Sequence, residues 1–318
     1  MPLIPSSPYQ PPFHLFNKHL ETIVPSIFRK VTATYKRERI ELIDGDFLDL
    51  DWLSKDRDKL VIVSHGLEGN SDRHYAKGMA SYFFQRGWDS LAWNCRGCSG
   101  EINRLPRFYH HGATEDLGAV VDHAIKKKYS QIVLIGFSMG GSMTLKYLGE
   151  KKGSVSKAIK SAVVFSVPCD LGSSARELEK PTNKFYLNRF LKKLGVKMQT
   201  KSLLFPKQIS TVGFEKIKSF REFDNRYTAP LHDFADADDF YTKASCGPYL
   251  PAIQIPTLII NALNDPFLPD ACYPFDLAKN HDFIHLETPA RGGHVGFSLL
   301  SKLENWMEQR AFEFSSAL

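Results

Sequence analysis

The 318-residue sequence predicts an α/β protein: a mostly parallel central sheet flanked by helices, with a helical lid inserted above it. Three observations carry that prediction. Short apolar runs rich in Val, Ile and Leu alternate with segments of helical periodicity, as parallel strands joined by crossover helices require. The runs are apolar at consecutive positions rather than alternating, so each strand is expected to be covered on both faces. From about residue 172 to 229 the rhythm breaks, and helical stretches such as ARELEK, KFYLNRFLKKL and GFEKIKSFREF follow one another with no strand between them.

The elements follow in order. YKRERIELID and DFLDLDWLS, separated by the turn at Asp44-Gly45-Asp46, read as an opening antiparallel hairpin. KLVIVSHGLEG is a strand ending in a glycine loop, and Tyr75 to Arg86 is the helix after it. DSLAWNC is the next strand. TEDLGAVVDHAIKKKY is the next helix, with Thr114 as its expected N-cap and acids in its first turn. QIVLIGF and SAVVFSV follow as strands on either side of the helix opened by SMGG. After the insertion the alternation resumes with PTLIINALNDP and DFIHLET, and it closes with a helix over SLLSKLENWMEQRAFEF.

Composition narrows the function classes. A chain 43% hydrophobic and 24% charged can bury a large core. The net charge of +6 is spread along the sequence, and its densest run, Lys126-Lys127-Lys128, reads as the solvated end of a helix, so no nucleic-acid partner is expected. Five cysteines, an odd number, argue against a disulfide framework and for a reducing compartment. The lone CxxC of Cys95 and Cys98 has no second pair to complete a zinc site, so a structural role and no metal are expected. The N-terminal stretch lacks the basic and apolar regions of a signal peptide, and no run reaches the roughly 18 apolar residues of a membrane span. A cytoplasmic protein without an integral membrane segment is expected, with HLETIVPSIF as a short amphipathic contact segment.

The segment QIVLIGFSMGG carries the chemistry. Gly136-Phe137-Ser138-Met139-Gly140 matches GxSxG, in which the glycines permit a tight strand-to-helix turn and the serine stands at its tip. A serine hydroxyl is a weak nucleophile at neutral pH and needs a base, a group orienting that base, and donors for the developing oxyanion. Asp265 follows the strand TLIINAL, and His294 follows the next strand within PARGGHVGF, which gives the chain order Ser, acid, His. The expected roles are attack by Ser138, proton transfer by His294 and orientation of the imidazole by Asp265. The oxyanion donors are expected to be the backbone N–H groups of Met139 and of Leu67 in SHGLEG.

These segments, together with HLETIVPSIFR, SHGLEGNSDRHY, WNCRGCSGEINRLPRFYHHGATEDL, DNRYTAPLHDFADADDFYTKAS and GGHVGF, resemble the α/β-hydrolase superfamily, and within it the YheT/EMB8-like (ABHD1/ABHD3-type) family. The resemblance spans most of the chain. It implies a single α/β-hydrolase domain over 1–318, with Ser138, Asp265 and His294 as its triad. It also points to an HxxxxD element, His111 to Asp116, which the family links with acyl transfer. A helix start accounts for the same residues: Thr114, Glu115 and Asp116 suit a first turn, and His111 packs against the loop.

The function expected is hydrolysis of a small-molecule or lipid-like carboxylic ester through an acyl-enzyme, with no cofactor. Phe185, Tyr186, Phe190 and Leu194 of the insertion are candidates to line an acyl pocket. Acyl transfer to an alcohol by the same triad is the alternative within the enzyme class, and a non-catalytic binding protein is the alternative outside it.

Overall fold

The computed structural model describes residues 3–4, 6–300 and 304–317. Among the described residues nine strands form one sheet: β1 (Leu3–Ile4), β2 (Lys36–Glu41), β3 (Phe47–Leu53), β4 (Lys59–Ser64), β5 (Asp89–Asn94), β6 (Gln131–Phe137), β7 (Ile159–Phe165), β8 (Thr257–Ile260) and β9 (Ile284–Glu287). Their spatial order is β1-β9-β8-β7-β6-β4-β5-β3-β2. Pairing is parallel from β1 through to β5 and antiparallel at β5–β3 and β3–β2, so the opening hairpin forms one edge. Gly45, at φ +83°, supplies the left-handed residue of the hairpin turn.

The double-sided apolar pattern of the central strands is used on both faces. On β4, Leu60 and Ile62 face one core and Val61 and Val63 the other; on β6, Ile132 and Leu134 oppose Val133, Ile135 and Phe137 in the same way. Helices α1 (Lys18–Phe28), α2 (His74–Gln85), α3 (Thr114–Lys126) and α4 (Met139–Lys151) precede β7. Between β7 and β8 the chain runs through α5 (Leu171–Glu179), α6 (Lys184–Leu204), α7 (Phe220–Phe223), one π turn at Asp224–Thr228, α8 (Ala229–Leu231) and α9 (Ala237–Ala244). Helical structure in this connection therefore continues beyond residue 229. Helices α10 (Phe275–Asn280) and α11 (Trp306–Ser316) complete the chain.

Three helix starts differ from the sequence reading, and α2 does so by one residue, beginning at His74 and not at Tyr75. Thr114 is the first residue inside α3 and not its cap; its hydroxyl donates to Glu150 Oε2 at 2.6 Å on the neighbouring α4. The last helix begins at Trp306 and not at Ser298, because Asn305 and Glu308 form a capping box and Ser298 bridges to Asn305 in extended conformation. Residues 301–303 of that expected helix lie outside the described residues.

Asp116 is committed to structure. Arg96, only 3% exposed, places its guanidinium between Asp116 (2.7 Å), Asp46 (2.9 Å) and Asp44 (2.7 Å), tying α3 to the hairpin turn. A buried ion pair adds little net stability, yet removing its central cation strands the buried carboxylates of Asp116 and Asp46 in low dielectric. Arg96→Met is expected to destabilise the fold by about 3–5 kcal/mol in urea unfolding, and Asp116→Asn by less, because Arg96 then keeps two carboxylate partners.

Candidate active site

Ser138 sits between β6 and α4 with φ +53° and ψ −117°, a conformation costly for any residue with a side chain. The turn closes because its neighbours have none. A Cβ on Gly136 would strike the backbone of Gly140 and Gly141, and one on Gly140 would strike the carbonyls of Ser64 and His65 at the end of β4. The GxSxG spacing is thus a packing requirement, and it presents the Ser138 hydroxyl above the end of the sheet.

The three residues that the sequence separates by 127 and 29 positions meet there. His294 Nε2 lies 3.0 Å from Ser138 Oγ, and Nδ1 lies 2.9 Å from Asp265 Oδ2 and 3.1 Å from Oδ1. With Asp265 ionised, Nδ1–H donates to the carboxylate, and Nε2 is left to accept from the serine hydroxyl. The Asp265 side chain is sealed from solvent, and Phe267 stacks on the imidazole with centroids 4.0 Å apart.

Leu67 and Met139, the residues expected to supply the oxyanion donors, lie on the loop after β4 and at the first position of α4. The backbone around Leu67 is occupied: Gly66 N–H donates to the Tyr75 hydroxyl, Glu68 N–H to the Tyr109 hydroxyl, and Gly69 N–H to the Gly66 carbonyl. Among the described residues, the N–H groups of Leu67 and Met139 have no protein acceptor. The loop is held from below. His65, fully buried and with its pKa pushed down to about 4 by desolvation, donates from Nδ1 to the Gly66 carbonyl and accepts from Cys95 N–H at Nε2. Lys197 Nζ donates to Glu68 Oε1 (2.7 Å) and to Cys98 Sγ (3.3 Å). The CxxC segment thus braces this loop, and all five cysteines are free thiols.

Several supporting residues were not legible in the sequence. Glu21, 1% exposed, accepts from Arg291 Nε (2.7 Å), from Gly292 N–H (2.9 Å) and from Asn264 Nδ2 (2.8 Å), and Asn264 Oδ1 accepts from Gly293 N–H. Thr22 Oγ1 accepts from His294 N–H at 2.9 Å. Helix α1 therefore clamps the backbone that carries His294. The available signal was one acid and one threonine on the polar side of HLETIVPSIF, in a segment read only as a contact surface.

Two depressions meet at Ser138. The inner cavity, about 780 Å³ including its open mouth, is walled by Leu67, Leu171, Leu178, Phe190, Leu194 and Phe267, with further aromatic and small residues of the helical insertion. The outer groove, about 830 Å³, runs between α1 and α6 and is bordered by Arg73, Arg189 and Lys193. Of the four insertion residues expected at an acyl pocket, Phe190 and Leu194 line the cavity, and Tyr186, one turn earlier on the same helix face, lines the groove. Phe185 does not: one position off that face, it is 60% exposed.

Among the described residues, no hydrogen bond joins His111 and Asp116. Asp116 belongs to the Arg96 cluster, whereas His111 borders the inner cavity, where desolvation holds its pKa down at about 3. A second titratable wall residue is Asp224, in the π turn, which accepts from the Thr228 and Tyr241 hydroxyls and has no cationic partner among the described residues. Burial raises its pKa from 3.8 to about 7.

A mostly parallel sheet with a serine on the turn after a central strand, and with a histidine and an acid converging on it from later loops, defines an α/β-hydrolase. The chain belongs to the family described as serine aminopeptidase, S33, which matches residues 55–271, and within the superfamily to the YheT/ABHD3/EMB8 type. It is 34% identical to YheT of Escherichia coli (strain K12) over 304 residues, 92% of this chain and 88% of that protein. It is 33% identical to phospholipase ABHD3 of Homo sapiens over 285 residues, 86% of this chain and 69% of that protein. The fold is similar to that of the Pyrococcus furiosus esterase Pf2001, with a TM-score of 0.61, 18% identity, and coverage of 91% and 96% of the two chains. Both of these sequence relatives carry the names of ester-cleaving hydrolases.

Because the folded-state pKa of Asp224 is raised, its contribution to stability is complete below the unfolded value near 3.8 and is lost as pH climbs through about 7. Asp224→Asn, which does not titrate, is expected to gain on the wild type in melting temperature between pH 4 and about 7 and to hold that gain above it. Calorimetry of both proteins across that range checks the sign.

Proposed function

We propose that the protein hydrolyses carboxylic esters with an apolar acyl group through a covalent acyl-enzyme on Ser138. The observation that carries this reading is the hydrogen-bonded chain Asp265–His294–Ser138 at the junction of the apolar cavity and the outer groove. The acyl chain occupies the inner cavity, and the alcohol portion leaves by the groove. Membership in a group that includes a protein named as a phospholipase supports a lipid-like ester.

The steps follow from the geometry. Ser138 Oγ attacks the ester carbon while His294 Nε2 takes the hydroxyl proton, and the carbonyl oxygen becomes an oxyanion held by the Leu67 and Met139 N–H groups. Collapse breaks the bond to the alcohol oxygen, which receives the proton from His294. Water enters, gives its proton to His294 and attacks the acyl carbon; release of the carboxylic acid returns the proton to Ser138. Asp265 keeps the imidazole in the reactive tautomer and stabilises it while charged. The clamp from Glu21 and Thr22 limits motion of the histidine between steps, and small misplacements of such a base are expensive in rate.

A fluorophosphonate probe is expected to label the wild type, and Ser138→Ala to abolish both labelling and p-nitrophenyl ester turnover, with kcat falling on the order of 10⁴-fold or more. Labelling that persists in Ser138→Ala would overturn the assignment. Asp265→Asn is expected to lower kcat by about 10⁴-fold with the fold intact, because the wrong tautomer is stabilised. Glu21→Gln is expected to lower kcat more than it changes KM, as read from steady-state kinetics on the same ester.

A further inference from the structure

Helix α1 is oriented with its polar side inward. Glu21 and Pro25, one turn apart, are its buried residues, and the polar side is spent on the His294 loop. The opposite side is apolar and open. Phe16, just before the helix, is 72% exposed, and Ile27 and Phe28 are 55% and 72% exposed, with half-buried Leu20, Ile23 and Val24 between them at helical spacing. A soluble helix normally buries that stripe, and a contiguous exposed one marks a contact surface.

The neighbouring helix extends the surface and charges it. α1 meets α6 through His19 and the Tyr186 hydroxyl at 3.1 Å, and the two helices form the walls of the outer groove leading to Ser138. α6 contains six lysines and arginines and no acidic residue. Lys197 and Lys201 turn inward, while Lys184, Arg189 and Lys192 are exposed beside Phe185 and have no ion-pair partner among the described residues. No described helix is long and apolar enough to cross a membrane. An apolar stripe flanked by unpaired cations is the pattern of a helix that lies in the interface of an anionic bilayer, with its apolar side chains among the acyl chains and its cations at the headgroups.

We infer that α1 and the outer face of α6 dock the protein on an anionic lipid surface, with the mouth of the groove facing the bilayer. Docking in this orientation lets an ester pass from the lipid layer to Ser138 without crossing water. That delivery rests on the ester hydrolase reading; the docking itself does not. It also accounts for an unusual economy in α1, whose polar side holds the histidine loop while its apolar side meets the lipid.

Co-sedimentation of the full chain with vesicles of mixed phosphatidylglycerol and phosphatidylcholine, against phosphatidylcholine alone, tests the inference. The wild type is expected to pellet with the anionic vesicles, and less so as salt shortens the Debye length from about 10 Å to about 3 Å. Ile27→Ser/Phe28→Ser and Lys184→Glu/Lys192→Glu are each expected to weaken binding by about tenfold or more, with p-nitrophenyl butyrate turnover unchanged. A wild type that stays in the supernatant, or variants that bind as the wild type does, would overturn it. So would substitutions that convert a dimer to a monomer in size-exclusion chromatography, since the face would then belong to a second copy of the chain. Vesicle binding without any turnover of the soluble ester would leave the docking standing and remove the hydrolase reading.

Discussion

The start of α4 rests directly on the end of β4, and much of the site depends on that contact. Positions 136 and 140 carry no side chain, so the turn at Ser138 closes against the carbonyls of Ser64 and His65 with no room for even one methyl group. This close approach has two effects. It holds Ser138 in a strained conformation that the surrounding packing must support, and it brings the loop after β4, with Leu67, alongside the first turn of α4. One tight contact therefore sets Ser138 and both candidate oxyanion donors relative to each other.

The histidine side is built differently. Strands β8 and β9 end near Ser138, but the chain from Pro289 to Phe297 has little regular structure, and its backbone N–H groups need partners. Helix α1 supplies two of them, for Gly292 and His294, through a buried carboxylate and a hydroxyl, with Arg291 balancing the charge of Glu21 at 2.5 Å. A buried carboxylate hydrogen-bonded from several directions is rigid, because any displacement leaves a charge without partners. The requirement that α1 turn its polar side inward is what leaves its apolar side exposed next to the groove.

How legible each feature was depended on how local its cause is. The parallel strands were readable because burial on both faces leaves a continuous apolar run in the sequence, as in Leu60 to Val63. Ser138 was readable because a tight turn demands glycine at fixed spacing. Phe185 was misplaced because helical phase, and not residue type, decides which of two adjacent aromatics faces a cavity. Thr114 was misplaced because a cap and a first-turn residue look alike until the neighbouring Glu150 offers the hydroxyl a partner. Glu21 was read as part of a contact segment, since nothing within ten residues of it shows that Arg291 and Gly292 come to meet it.

By itself the sequence determined the fold class, the tight turn at Ser138 and the chain order of serine, acid and histidine, because each is written as local periodicity, as glycine spacing or as position along the chain. Only the tertiary structure decided that His294 reaches Ser138 at 3.0 Å, that Asp116 serves Arg96 and not His111, and that α1 faces the loop with its charged side. Those outcomes turn on which long-range partners can satisfy buried polar groups, and a buried group's partner is chosen by the folded chain as a whole.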